Sequence, residues 1–456
     1  MNGDQLSTSA PGRGYLLARA RQARGWTQPQ MARLLREFSR QEGHPLSTGR
    51  DGIWYWEHSR CPDHPTQILI AGLLSIPPDA VDERPWPEWL AADPAQRPPG
   101  RPWTVRGAAE ALSELSGSSV DTTRRDLFII GGGALTSALL AWIVADTSAA
   151  GQISGGRRIG EAAVGRLEKR AAALRAIDDE DGGGTVLEES FSALTLTTGL
   201  IRRSTYSDTH GARLYSVASD LARQYAAALF DMHGVCSDKA FETSLRAAKA
   251  GGDDAIGANC LAFWASAAYN TGRRSDAEAM ASAGLAAVRG RAAPSVVAVL
   301  ETRRGRARAR LGDAGSLSSF DRAEELLGQA GTEPGPDWAD WIDQAEIYAA
   351  RGSSQLDLGR PKQAEDNFAA ARQCFDPSII RTQVVYLARQ ASAQLDQGKA
   401  DQAVATGHIA LDMAEAISSR RSADAVLDLA RACTADDSHV PGGRDLAERA
   451  RATLTE

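Results

Sequence analysis

The sequence is poor in the residues from which disulfide scaffolds, thiol sites and metal sites are built. Five cysteines are spread over 456 residues, Cys61, Cys236, Cys260, Cys374 and Cys433. Their odd number and wide spacing argue against a disulfide framework and for a reducing cytosol. Histidine is almost as scarce, with seven in the chain, and His210, His233, His408 and His439 stand isolated. No GxSxG elbow, HExxH pair, Walker loop or paired-cysteine motif occurs, so no residue pattern asks for an enzyme or a cofactor. The opening MNGDQLSTSAPGRG has neither a basic n-region nor an apolar h-region, and no secretory signal is expected from it.

Long apolar runs are also nearly absent, with one exception. Residues 127–145, LFIIGGGALTSALLAWIVA, carry no charge, and a helix of that length nearly crosses a hydrocarbon core. Two readings stay open, a buried helix or a membrane span. Three successive glycines weaken a span, and Arg157, Arg158, Arg166, Lys169 and Arg170 behind it remove any positive-inside bias, so a membrane partner is not favoured. The preceding TRRD resembles a twin-arginine export signal, yet it lies far inside the chain. FIIGGGA lacks the third glycine of a dinucleotide loop. HSRCPDH, with one cysteine between His58 and His64, reads as a surface loop rather than a zinc site.

What is present is ordinary globular material, 43% apolar and 24% charged, with room for several domains at about 100 to 200 residues each. The formal charge of −7 is unevenly spread. Nine arginines against four acids from Arg13 to Arg60 leave about −12 for the remainder, and a basic head on an acidic body fits a domain that meets a polyanion.

Apolar spacing predicts four helices in that head. The first runs from about Tyr15 to Arg24 with Leu16, Leu17 and Ala20 inward and Gly25 as its stop. Thr27 caps the second, whose stripe is Met31, Leu34, Leu35 and Phe38. A polar loop, RQEGHPLSTG, leads to a third with Ile53, Trp54, Tyr55 and Trp56, and a fourth follows Pro65. The prolines between Pro77 and Pro102 read as a linker. The chain after Leu187 is rich in Ala, Leu, Arg and Glu and reads as helix throughout. Within it an interhelix turn recurs: Gly359, Ala364, Phe368, Ala371; Gly398, Ala403, Gly407, Ala410; Gly272, Ala277, Ala281, Gly284; with weaker copies at Gly234 and Gly312. These glycines are 38, 40, 47 and 39 residues apart, longer than the roughly 34 residues of the usual helix-turn-helix repeat.

LARARQARGWTQPQMARLL, GRDGIWYWEHS and PTQILIAGLLSI together resemble the XRE family of helix-turn-helix regulators, with about eleven extra residues around REFSRQEGHPL. The resemblance implies that Ile53 and Trp56 face inward, that Glu57 closes the third helix, and that Arg50, Asp51, Trp54 and Tyr55 form the DNA-reading face. Arg50 would read guanine O6 and N7, and Asp51 would accept from cytosine N4. Thr27 and Gln28 open the second helix, where the family uses Gln against a phosphate, and Arg24 and Arg60 would neutralise backbone charge.

The second half is similar to tetratricopeptide repeats, in which the first helix of each pair lines a concave groove. Carried onto this chain, the groove positions are Asn259, Ser266, Tyr269 and Asn270, then Arg303, Arg306 and Arg310. The arginines of ETRRGRARAR would meet a carboxylate of a signal peptide or small-molecule effector; a solvated or internally paired face is the competing reading. The expected fold is therefore all-α, an N-terminal helix-turn-helix bundle followed by a tetratricopeptide-like α-solenoid. Its parts are the head at 13–80, the Pro-rich linker at 81–120, a connecting helical segment at 121–186 and the repeats at 187–456. Combined, these features resemble actinobacterial and firmicute regulators. They imply a cytoplasmic homodimer on a double-stranded DNA operator, with an interaction scaffold or a membrane-tethered regulator as the alternatives.

Overall fold

The computed structural model describes residues 15–23, 26–41, 43–58, 60–74, 76, 81–82, 85–87, 89–90, 101–117, 130–145, 158–181, 183–330, 335–376, 379–435 and 440–454. Among these residues every regular element is helical, apart from one isolated bridge between Arg158 and Thr205. The chain divides into two units, Met1–Gly100 with Phe128–Ala138, and Arg101–Leu127 with Leu139–Glu456.

Among the described residues the first unit begins with helices in the expected order: α1 Tyr15–Ala23, α2 Gln28–Gln41, α3 Arg50–His58 and α4 His64–Leu73. Leu17, Ala20, Met31, Leu35, Ile53 and Ile70 meet in its core. Thr27 caps α2 reciprocally: its Oγ accepts from Gln30 N at 3.4 Å while its own N–H donates to Gln30 Oε1 at 2.7 Å, the capping-box arrangement. The polar loop is shorter than expected, because α2 continues through Arg40 and Gln41 before it ends. Ser39 then ties the turn down, its Oγ accepting from Leu46 N at 3.1 Å.

The segment 81–120, expected as a linker, is built into the two units at both of its ends. Val81, Trp89 and Leu90 are buried in the first core, and Trp89 Nε1 donates to Gln67 Oε1 at 2.9 Å. Burying Trp89 and Leu90 outweighs what the prolines deny. At the other end Val105–Ser116 (α5) is a capped amphipathic helix that belongs to the second unit. Residues 91–100 and 118–129 lie outside the described residues.

The apolar stretch forms a 13-residue helix, Gly132–Val144 (α6), about 20 Å long at 1.5 Å per residue. Trp142 is buried on it while Leu140 and Val144 are exposed. Among the described residues no helix is long and apolar enough to cross a membrane. Residues 127–129 of the stretch lie outside the description.

The second unit continues with α7 Glu161–Asp181, α8 Gly183–Arg203, α9 Asp208–His233, α10 Asp238–Gly251, α11 Asp254–Asn270, α12 Arg274–Val288, α13 Pro294–Arg310, α14 Leu317–Ala330, α15 Gln344–Asp357, α16 Pro361–Arg372, α17 Ile380–Leu395, α18 Ala400–Ala414, α19 Arg420–Cys433 and α20 Gly443–Leu454. The repeat read from the sequence has a direct backbone counterpart. Gly234, Gly272, Gly312, Gly359 and Gly398 all take positive φ, between 67° and 86°, each just after the first helix of a pair, where a side chain would strain the left-handed cap. The small residues of the motif are buried; a Cβ on Gly407 would lie 2.7 Å from Leu446 Cδ2, so only glycine lets that pair approach so closely.

First helices contact first helices along the chain, α9 to α11, α11 to α13, α13 to α15, α15 to α17 and α17 to α19. Helix α19 then returns to α9, and α7 reaches α17. Arg381 Nη1 donates to Asp178 Oδ1 at 2.7 Å and Ser419 Oγ donates to Asp231 Oδ1 at 3.0 Å. The inner helices thus close into a ring, where the repeat reading expected a groove.

Candidate functional site

Two arrangements concentrate chemistry, one in each unit. In the first, the four expected reading positions of α3, Arg50, Asp51, Trp54 and Tyr55, are all exposed, while Ile53 and Glu57 are buried. Trp54 and Tyr55 stand 42% and 41% exposed, an unusual cost for such large apolar surfaces. Trp54 stacks on His58 with ring centroids 4.4 Å apart, and the Arg60 guanidinium lies 4.7 Å from the Tyr55 ring centroid. Arg60 is thereby held beside the face.

The back of α3 is anchored by Glu57. Its Oε1 accepts from Arg21 Nε at 2.6 Å and its Oε2 from Gln28 Nε2 at 2.7 Å, while Arg21 Nη1 donates to Trp26 O at 2.8 Å. One buried carboxylate so ties α1, α2 and α3 together. Gln28, expected against a phosphate, commits one amide donor to this tie. Arg21 was not among the sequence candidates, because nothing local reveals that a residue 36 positions away needs a counter-charge. Arg24 lies outside the described residues.

The second arrangement is a cavity inside the ring, of about 1400 Å³ with its open mouth included. All six inner helices and α7 supply its wall. Six of the seven expected groove residues line it, Asn259, Ser266, Tyr269, Asn270, Arg303 and Arg306. The seventh, Arg310, stands behind the wall and bonds Asp357 at 3.0 Å. Aromatic surface faces the same space from Phe263, Trp338, Trp341, Phe375 and Tyr386.

Each arginine of ETRRGRARAR has an internal carboxylate. Arg303 meets Glu346 at 3.1 Å, Arg304 meets Glu301 at 2.7 Å, Arg306 meets Asp357 at 2.7 Å and Arg308 meets Asp313 at 2.6 Å, with Arg310 on Asp357 as above. The internally paired reading describes this helix. Among the other cavity arginines, Arg389 also takes Asp357 at 2.8 Å, Arg381 takes Asp178, Arg223 takes Asp220 at 2.8 Å, and Arg175 takes Asp220 and Asp337. Tyr386 Oη donates to Glu346 Oε2 at 3.0 Å.

Seven arginines and four carboxylates line the cavity itself, and Asp220, Asp337 and Asp357 pair with those arginines from behind the lining. Burial, together with Arg306 and Arg310, brings Arg389 down to about 10. Burial alone would raise the Tyr269 phenol, but Arg303 and Arg306, the Ser266 hydrogen bond and Arg421 hold it below its ordinary value. Burial likewise opposes ionisation of Asp357, yet Arg306, Arg389 and Arg310 keep its carboxyl below the usual range.

No protein-family model matches the chain, and no curated protein matches it either. The sequence reading missed Arg175, Arg223, Arg381, Arg389 and Arg421, which reach the cavity from α7, α9, α17 and α19. Spacing along one helix carries no signal for them, since they converge through the closure of the ring.

Proposed function

We propose that this chain is a cytoplasmic, sequence-specific DNA-binding regulator of transcription, similar to the XRE family, with a tetratricopeptide-like body that dimerises and senses a signal peptide or small ligand. The observation that carries this reading is the α3 face. Four exposed side chains able to donate, accept and make apolar contact stand on a short helix whose rear is clamped by a buried carboxylate. A helix entering the major groove needs that combination, a rigid seat and a chemically varied front.

In this reading Arg50 reads a guanine, Asp51 a cytosine amine, and Trp54 or Tyr55 a thymine methyl or the backbone, with Arg60 on phosphate. Two heads occupy half-sites about one helical turn apart. A ligand bound more tightly by one conformation of the body shifts the population between spacings that fit the operator and spacings that do not.

The test is selection of random-sequence duplexes by the purified full-length chain at physiological salt. Enrichment of a palindromic motif is the expected result. Retention that is indifferent to sequence and vanishes with salt would leave a nonspecific binder or a scaffold and end the regulator reading.

A further inference from the structure

Arg421 differs from every other arginine that lines the cavity. The other six, Arg175, Arg223, Arg303, Arg306, Arg381 and Arg389, each have a carboxylate within 4 Å. Among the described residues none stands that close to Arg421. Its position adds to the imbalance. Arg420 and Arg421 open α19, whose first turn contains no acid, so two cations occupy the positive end of a helix dipole, where cations are disfavoured. Arg420 turns outward to Asp424 at 3.5 Å. Arg421 instead lines the cavity, and its field reaches the phenols of Tyr269 and Tyr386.

Three buried atoms around the same space also lack a hydrogen-bond partner among the described residues. Asn259 and Gln224, 2% and 3% exposed, have amide oxygens that accept no hydrogen bond, and the Trp341 indole N–H donates none. A buried polar atom without a partner carries a desolvation cost that a bound group with a matching donor or acceptor removes. Aromatic rings border these groups, so an apolar body would find surface there as well.

We propose that the cavity binds a small organic acid with an aromatic body, its carboxylate on Arg421 and its ring among Tyr269, Trp341 and Tyr386. This deepens the ligand-sensing half of the function proposed above. A small ligand is favoured over an extended peptide because the ring is closed by Arg381 on Asp178 and Ser419 on Asp231, leaving no continuous groove for a chain to lie along.

The experiment is calorimetric titration of the full-length chain, without DNA, with phenylacetate, indole-3-acetate and 2-naphthoate, each beside its neutral amide. At least one acid should bind with a Kd below about 1 mM and about tenfold tighter than its amide, the scale of one charge-assisted contact. Arg421→Gln should bring the acid down to the affinity of the amide and leave the amide unchanged. Arg421→Lys should keep the preference, and Arg420→Gln should behave as the native chain. Binding by none of the acids, equal binding of acid and amide, or a preference that survives Arg421→Gln overturns the proposal. So does a short apolar peptide that binds equally well with its C-terminus amidated. The acid-against-amide comparison in the native chain stands even if a variant misfolds. Failure of operator selection leaves these titrations untouched, so the two readings fail separately.

Discussion

Arg306 and Asp357 meet at 2.7 Å across the junction of α13 and α15, with side chains 5% and 16% exposed. The same carboxylate receives Arg389 at 2.8 Å and Arg310 at 3.0 Å. One negative charge thus holds three guanidiniums, and the inner wall of the ring depends on it. Asp357→Asn leaves three mutually repelling cations, Arg306 buried and Arg310 and Arg389 partly buried, and the second unit should lose about 3 to 5 kcal/mol, the usual cost of breaking a buried pair by removing one partner. Urea denaturation at neutral pH measures this.

The same residue sets a pH dependence. Its folded-state value lies below the ordinary carboxylate value, so its contribution is fully present above about pH 4. That contribution is lost as pH falls through the lower folded value, because the unfolded chain takes up the proton first. Stability against pH should therefore fall more steeply on the acid side in the native chain than in Asp357→Asn. Identical acid limbs would remove Asp357 as the cause.

In the first unit the counterpart is Glu57, 2% exposed beside Arg21 at 12%. Glu57→Ala should cost about 3 to 5 kcal/mol by stranding the Arg21 charge. Amide exchange should accelerate in α1, α2 and α3 together, because one carboxylate joins all three. Acceleration limited to α3 would show that Glu57 only completes its own helix.

Two arginines of the same unit should separate by what they read. Arg50→Ala should lower affinity for the selected operator by about 1 to 3 kcal/mol and relax one base position. Arg60→Ala should weaken all sequences alike and reduce the salt slope by about one. Electrophoretic mobility shifts at several salt concentrations distinguish the two outcomes, and an unchanged Arg50→Ala variant would remove α3 as the reader.

Close helix packing supplies a further case. A Cβ on Gly305 would lie 2.7 and 2.8 Å from two carbons of the buried Phe320 ring, a flat group with little room to yield. Gly305→Ala gains about 1 kcal/mol of helix propensity but overpacks the seam between α13 and α14 by about 1 to 3 kcal/mol. A lowered melting temperature is the expected net result, and a raised one would mean that Phe320 moves aside.

Much of the head was legible in advance because its signals are local. Met31 and Leu35 on one side of α2 follow from helical spacing, while the placing of Ile53 inward with Trp54 and Tyr55 outward on α3 came from the family resemblance. The repeat was legible for the same reason: each glycine ends its own helix by its own backbone geometry. Six residues that the repeat resemblance placed on a groove line the cavity instead, since they share faces of α11 and α13. The segment after Pro77 misled because composition was weighed without tertiary partners; Trp89 and Leu90 bury themselves against a core that no window of sequence displays.

The amino-acid sequence alone determined that this chain is helical and where its repeated helices end, because these depend on neighbours within a few residues. Only the tertiary structure decided that α19 returns to α9, that every arginine of α13 finds a carboxylate, and that Arg421 finds none among the described residues. Those outcomes depend on small rotations accumulated from one helix pair to the next, which bring together charges up to two hundred residues apart.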